Sequence, residues 1–117
     1  MEATIYEKAT KAIEAFLDRK GYDIIERGWA HGSDRADFIA REDGDLVFIT
    51  VKIAEGAGLG FPEENPAERE GLERLAAAYL EHFDEGDVTV RFDIVSMMVL
   101  GESRAFLRLH RNALSAL

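Results

Sequence analysis

A chain of 117 residues, 47% hydrophobic and 32% charged, has the size of one globular domain and is too apolar for a disordered tail. It has no cysteine, which excludes disulfides and thiolate metal sites, and no apolar run near the ~20 residues of a membrane helix. A net charge of -9 opposes association with a polyanion, so any nucleic-acid contact needs a local basic face.

Met1-Glu2-Ala3-Thr4 lacks the basic start and apolar block of a secretory signal, so a cytoplasmic protein is the expectation, with residues 1–117 as a single domain. From Thr4 to Lys20, Ile5, Ala9, Ala12, Ile13, Phe16 and Leu17 make a helical stripe. Thr4 with Glu7 three residues on is a capping-box pattern, and Gly21 is a natural stop. Residues 22–27 suit a short strand, and Gly28 to Ser33 read as a turn.

Residues 35–41 and 46–53 predict two strands joined at Glu42-Asp43-Gly44-Asp45, where Asp-Gly between apolar runs signals a hairpin. The second is apolar on both faces, the mark of a central strand covered on each side. Ala54 to Phe61, with the three alternating glycines Gly56, Gly58 and Gly60, is expected to be a loop tied down at Pro62. Asn65-Pro66 opens a second helix as N-cap and first helical residue, with Leu72, Leu75, Ala76, Tyr79 and Leu80 facing inward. Residues 88–100 are β-rich, Ala105 to Leu109 pair beside them, and Asn112 to Leu117 suit a terminal turn of helix. The order is α-β-β-β-α-β-β, a mixed α/β domain with helices flanking a single sheet.

The residues that carry chemistry lie in the hairpin. Thr50 and Lys52 share a strand face, and Asp37 stands on the partner strand within reach of Lys52. A lysine on an apolar central strand needs a reason, because burying an unpaired ammonium is costly. Either Lys52 and Asp37 are a structural ion pair, or Asp37 ligates a metal and Lys52 stabilises charge in phosphodiester cleavage. His31, His82 and His110 show no metal-ligand spacing, the loop glycines do not form a phosphate loop, and Trp29 suits the core edge better than base stacking.

An ordered set of motifs makes the reading sharper: Gly21-Tyr22, Gly28-Trp29, Asp34-Arg35-Ala36-Asp37-Phe38-Ile39-Ala40, Val47-Phe48-Ile49-Thr50-Val51-Lys52, Gly60-Phe61-Pro62, Arg91-Phe92-Asp93-Ile94-Val95 and Asn112-Ala113-Leu114. Together they resemble the YraN-type family of small bacterial proteins, whose fold is related to restriction endonucleases and Holliday-junction resolvases. The resemblance implies a restriction-endonuclease-like core, with Asp37, Thr50 and Lys52 at the catalytic positions and Asp37 at the metal position. The departures fall at polar positions. Where the family has Glu, this chain has Arg35 and Thr50; where it has basic residues, this chain has Ala30, Ala54 and Glu68. Such nucleases hold Mg²⁺ with two carboxylates and a backbone carbonyl, and Thr50 removes one carboxylate.

Asp34, Glu14, Glu7 or Asp93 could supply a relocated acid, with Arg35 and Arg91 as auxiliary cations. The reading is therefore a YraN-like domain with an eroded centre, acting as a binding or interaction module without a resident cofactor. Its alternatives are a divergent Mg²⁺-dependent DNA endonuclease and a homodimeric protein-interaction domain.

Overall fold

The computed structural model describes residues 3–55, 66–83, 86–101 and 104–112. Within them the chain runs α1 (Ala3–Arg19), β1 (Asp23–His31), β2 (Asp34–Glu42), β3 (Asp45–Glu55), α2 (Pro66–Leu80), β4 (Thr89–Leu100) and β5 (Arg104–His110). This is the predicted α-β-β-β-α-β-β order. The five strands form one sheet in the order β1-β2-β3-β4-β5. Neighbours are antiparallel except β3 and β4, which run parallel. A parallel pair needs a long crossover, and the connection holding α2 supplies it.

β3 is covered on both faces. Val47 and Ile49 pack with Ala9, Ile13 and Leu17 of α1, while Leu46 and Phe48 pack with Leu72, Leu75 and Ala76 of α2. Burying a large apolar side chain fully stabilises by about 1.5–3 kcal/mol, so this strand anchors the fold. The β2–β3 hairpin closes through Asp43 and Gly44, both at positive φ (51° and 83°), as a two-residue turn between strands requires.

Three boundaries differ from expectation. β1 does not stop at Arg27 but continues through Gly28 to His31, and the turn is Gly32-Ser33. Pairing with β2 sustains it, with Trp29 opposite Ala36 and Ala30 opposite Arg35, and Gly28 accepts a φ of 63° within the strand. β3 extends through Ala54 and Glu55, because its parallel ladder with β4 continues to Glu55 opposite Val99. β5 forms a full antiparallel ladder with β4, from Leu100 opposite Arg104 to Ile94 opposite His110. Thr4, expected as the N-cap, lies inside α1, which begins one residue earlier at Ala3; Asn65, loop residues 56–61, Pro62 and terminal residues 113–117 lie outside what is described.

Candidate functional site

The β2–β3 ladder ends at Phe38 opposite Ile49, while the β1–β2 ladder continues to His31 opposite Asp34. At Asp37, therefore, β2 stays with β1 and leaves β3. Strand alternation breaks at the same place: Ala36 packs on the α2 side and Phe38 on the α1 side, although they are two residues apart.

The Asp37 carboxylate replaces the missing ladder bonds. Its Oδ2 accepts the Val51 backbone N–H at 2.7 Å, and its Oδ1 accepts from Arg35 Nη1 at 2.8 Å. Thr50 and Lys52, both half-buried, flank Val51. The structure thus brings Asp37, Thr50 and Lys52 to one opening in the sheet and sets Arg35 over it.

Gly28 explains how Arg35 gets there. A Cβ on Gly28 would lie 3.1 Å from Arg35 Nη2, so the guanidinium rests against a bare backbone in the neighbouring strand. The left-handed φ and the close approach both favour glycine.

Two further acids lie elsewhere, each held by an arginine. Asp34 accepts from Arg74 of α2 through both oxygens, at 3.0 Å each. Glu14 of α1 takes a bidentate bond from Arg27 of β1, at 2.7 and 2.8 Å. The hydrogen bond from its arginine holds each carboxyl below its ordinary value. Glu7 is exposed on α1.

Asp93 belongs to a separate network on the α1 side of the sheet. It sits opposite Ile49, is fully buried, and has four donors. Arg91 Nε (2.9 Å) and the Asn112 backbone N–H (2.7 Å) bond Oδ1; the Tyr22 hydroxyl (2.6 Å) and Arg91 Nη2 (2.9 Å) bond Oδ2. Arg91 also donates to Asp45 at 2.9 Å and to Glu42, which accepts a second guanidinium, Arg111, at 2.6 and 2.9 Å.

The network ties β2, β3, β4 and the residues after β5 together. The Arg111 hydrogen bond, followed by that from Arg91, lowers Glu42's carboxyl, while burial first, then the bond to Asp93, pushes Tyr22's hydroxyl up. Sequence reasoning named Arg91 and Asp93 but missed Tyr22, Glu42, Asp45 and Arg111. The available signal was an Arg-x-Asp pair on one face of a strand otherwise rich in apolar residues, which demands partners.

Trp29 packs half-buried beside the α2-side core, edge-on to Tyr79 at 5.0 Å between ring centroids and stacked with His31 at 6.4 Å. Among the described residues no three His, Cys, Asp or Glu side chains converge as a metal site would require. No described helix is long and apolar enough to cross a membrane.

A five-stranded mixed sheet between two helices, opened at an aspartate beside a Thr-x-Lys strand, defines a mixed α/β protein with one polar centre at a strand splay. The chain belongs to the YraN-like family: residues 9–97 match the family described as Uncharacterised protein family UPF0102. It is 35% identical over 118 residues to a UPF0102 protein of Symbiobacterium thermophilum, covering 99% of this chain and 100% of that one. Similar relatives occur in Roseiflexus castenholzii (37% identity, 72% of this chain and 70% of the relative) and Flavobacterium johnsoniae (32%, 76% and 76%).

Proposed function

We propose that this chain keeps a nuclease-type α/β framework as a non-catalytic binding module, its centre at Asp37, Thr50 and Lys52 eroded. The observation that carries the reading is the pairing of Asp37. One oxygen takes the Arg35 guanidinium and the other the Val51 N–H. Mg²⁺ asks for octahedral oxygen donors, with one or two carboxylates and waters. Here the donor set is one engaged carboxylate and the neutral Thr50 hydroxyl, beside a fixed cation, and it does not fit that ion. No step through a metal follows from it.

The reading of a divergent endonuclease needs a relocated acid. Asp34 and Glu14 are each clamped by an arginine, and Asp93 is saturated by four donors in another network. An edge-to-edge homodimer is disfavoured by its strands. β1 carries a bulge between Ile24 and Glu26, and self-pairing of β5 brings its arginines toward one another.

The test is a plasmid-nicking and oligonucleotide-cleavage assay with Mg²⁺ and Mn²⁺. The expected result is no cleavage above buffer. Activity lost in Asp37→Ala or Lys52→Ala would falsify the non-catalytic reading.

A further inference from the structure

Side chains two apart on a strand point the same way, so Arg104, Phe106, Arg108 and His110 share one face of β5. The register places Phe106 opposite Met98, Arg108 opposite Ser96 and His110 opposite Ile94. The parallel ladder continues these rows to Ala54, Lys52 and Thr50. Ile94 lies in the α2-side core, which assigns the row to that side of the sheet. A cationic, aromatic row therefore leads from the outer strand to the Thr50–Lys52 centre.

Charge and exposure single this row out. β5 has two arginines, one histidine and no acid, in a chain of net charge -9. Phe106 is 44% exposed, and the Arg104 guanidinium sits 5.9 Å from its ring centroid. Cations on an edge strand discourage edge-to-edge pairing, which accounts for the arginines. It does not account for a large aromatic ring exposed between them.

We propose that Arg104 and Phe106 form a platform for single-stranded nucleic acid, the ring stacking on a base and the Arg104 guanidinium meeting a flanking phosphate. The proposal deepens the binding-module reading by naming its ligand. Alternate side chains on a strand recur about every 7 Å, a step suited to an extended nucleotide chain. Basic tracks with aromatic platforms bind single strands with little sequence preference, because every base has a π-face. A duplex keeps those faces stacked inside, so the exposed ring favours the single strand.

The experiment is fluorescence anisotropy of the whole chain with a fluorescein-labelled oligothymidylate and with a duplex of equal length, in EDTA at low salt. The single strand binds more tightly than the duplex. Phe106→Ala weakens binding at least about fivefold, the lower end for one lost stacked base, and Phe106→Tyr retains it. Arg104→Ala lowers the slope of log affinity against log salt by about 0.7, one phosphate contact on a single strand. Both residues are exposed, and unchanged circular dichroism confirms folding.

No binding at low salt, or equal affinity in Phe106→Ala and Arg104→Ala, overturns the platform. So does binding to phosphatidylserine vesicles in place of the oligonucleotide, lost in the same variants. Metal-dependent cleavage would sink the non-catalytic reading alone, whereas these outcomes sink the platform alone.

Discussion

Arg35 reaches Asp37 across the face of Gly28, its Nη1 donating to Oδ1 at 2.8 Å while its Nη2 lies 3.1 Å from where a Cβ on the glycine would stand. The arginine side chain is 54% exposed and the aspartate 17%. A pair this open to solvent stabilises the fold by at most about 1 kcal/mol. Its consequence is positional: a cation is held against the carboxylate at the point where β2 and β3 part.

Gly28→Ala therefore both strains the backbone and displaces the arginine. A non-glycine residue in the left-handed region costs about 1–3 kcal/mol, and the 3.1 Å approach adds to it. Urea denaturation is expected to show a loss in that range, and a structure of the variant to show Arg35 moved off Asp37. An unchanged midpoint with Arg35 in place contradicts the account.

Restoring acids is the converse test of the centre. Arg35→Glu combined with Thr50→Glu adds two carboxylates beside Asp37 and removes the cation. Calorimetric titration with Mn²⁺ is expected to give a saturable signal in the double variant and none at millimolar metal in the unaltered chain. Equal binding by both would mean that the metal, if it binds, binds elsewhere.

Burial makes two arginines unequal. Arg91 is 13% exposed and faces the fully buried Asp93 and nearly buried Glu42. Arg91→Ala leaves those charges uncompensated, and removing one partner of a buried pair costs about 3–5 kcal/mol. Arg27 is 59% exposed in its pair with Glu14, so Arg27→Ala should change stability by less than about 1 kcal/mol. Similar losses in both variants would refute the distinction.

Acid acts through Glu42. Its carboxyl is lowered chiefly by the hydrogen bond from Arg111, with Arg91 adding to it. The folded chain therefore holds the deprotonated form more firmly than the unfolded chain does. That stability is present above the ordinary value of 4.5 and is lost as pH falls through the depressed one. Melting temperature should drop below pH 4.5, and Glu42→Gln, less stable at neutral pH, should flatten this acid limb. An acid limb as steep in the variant as in the parent rules Glu42 out as its source.

Base acts through Tyr22, whose hydroxyl is pushed up by burial and then by its bond to Asp93. A raised folded value means that the contribution is complete below pH 10 and is lost as pH rises through the folded value. Phenolate absorbance should show one of the three tyrosines titrating late, and Tyr22→Phe should remove it. The same variant leaves one Asp93 lone pair unsatisfied at neutral pH, at a cost of about 1–3 kcal/mol. Three tyrosines ionising together would refute this.

Local patterning made much of the architecture legible. The apolar stripe of α1, the two-sided apolar run of β3 and the Asp43-Gly44 turn each follow from side-chain period or backbone φ, which neighbouring residues impose. Alternation put Thr50 and Lys52 on one strand face with Asp37 in reach across the hairpin, and the family resemblance marked the three as one centre. The end of β1 was not legible, because Gly28 to His31 read as a turn until β2 supplied partners.

Partner choice among charges was decided by tertiary structure. Arg35 could have met Asp34 or Asp37, and it is Arg74, 40 positions from Asp34 along the chain, that takes Asp34 and leaves Arg35 for Asp37. Arg91, Glu42 and Arg111 meet only because the parallel β3–β4 ladder brings the start of β4 beside the hairpin. Hydrophobic period is written along neighbouring residues, whereas an ion pair depends on which distant strands lie side by side. The chain order thus announces where Asp37 stands, and only the folded sheet determines that a guanidinium occupies it.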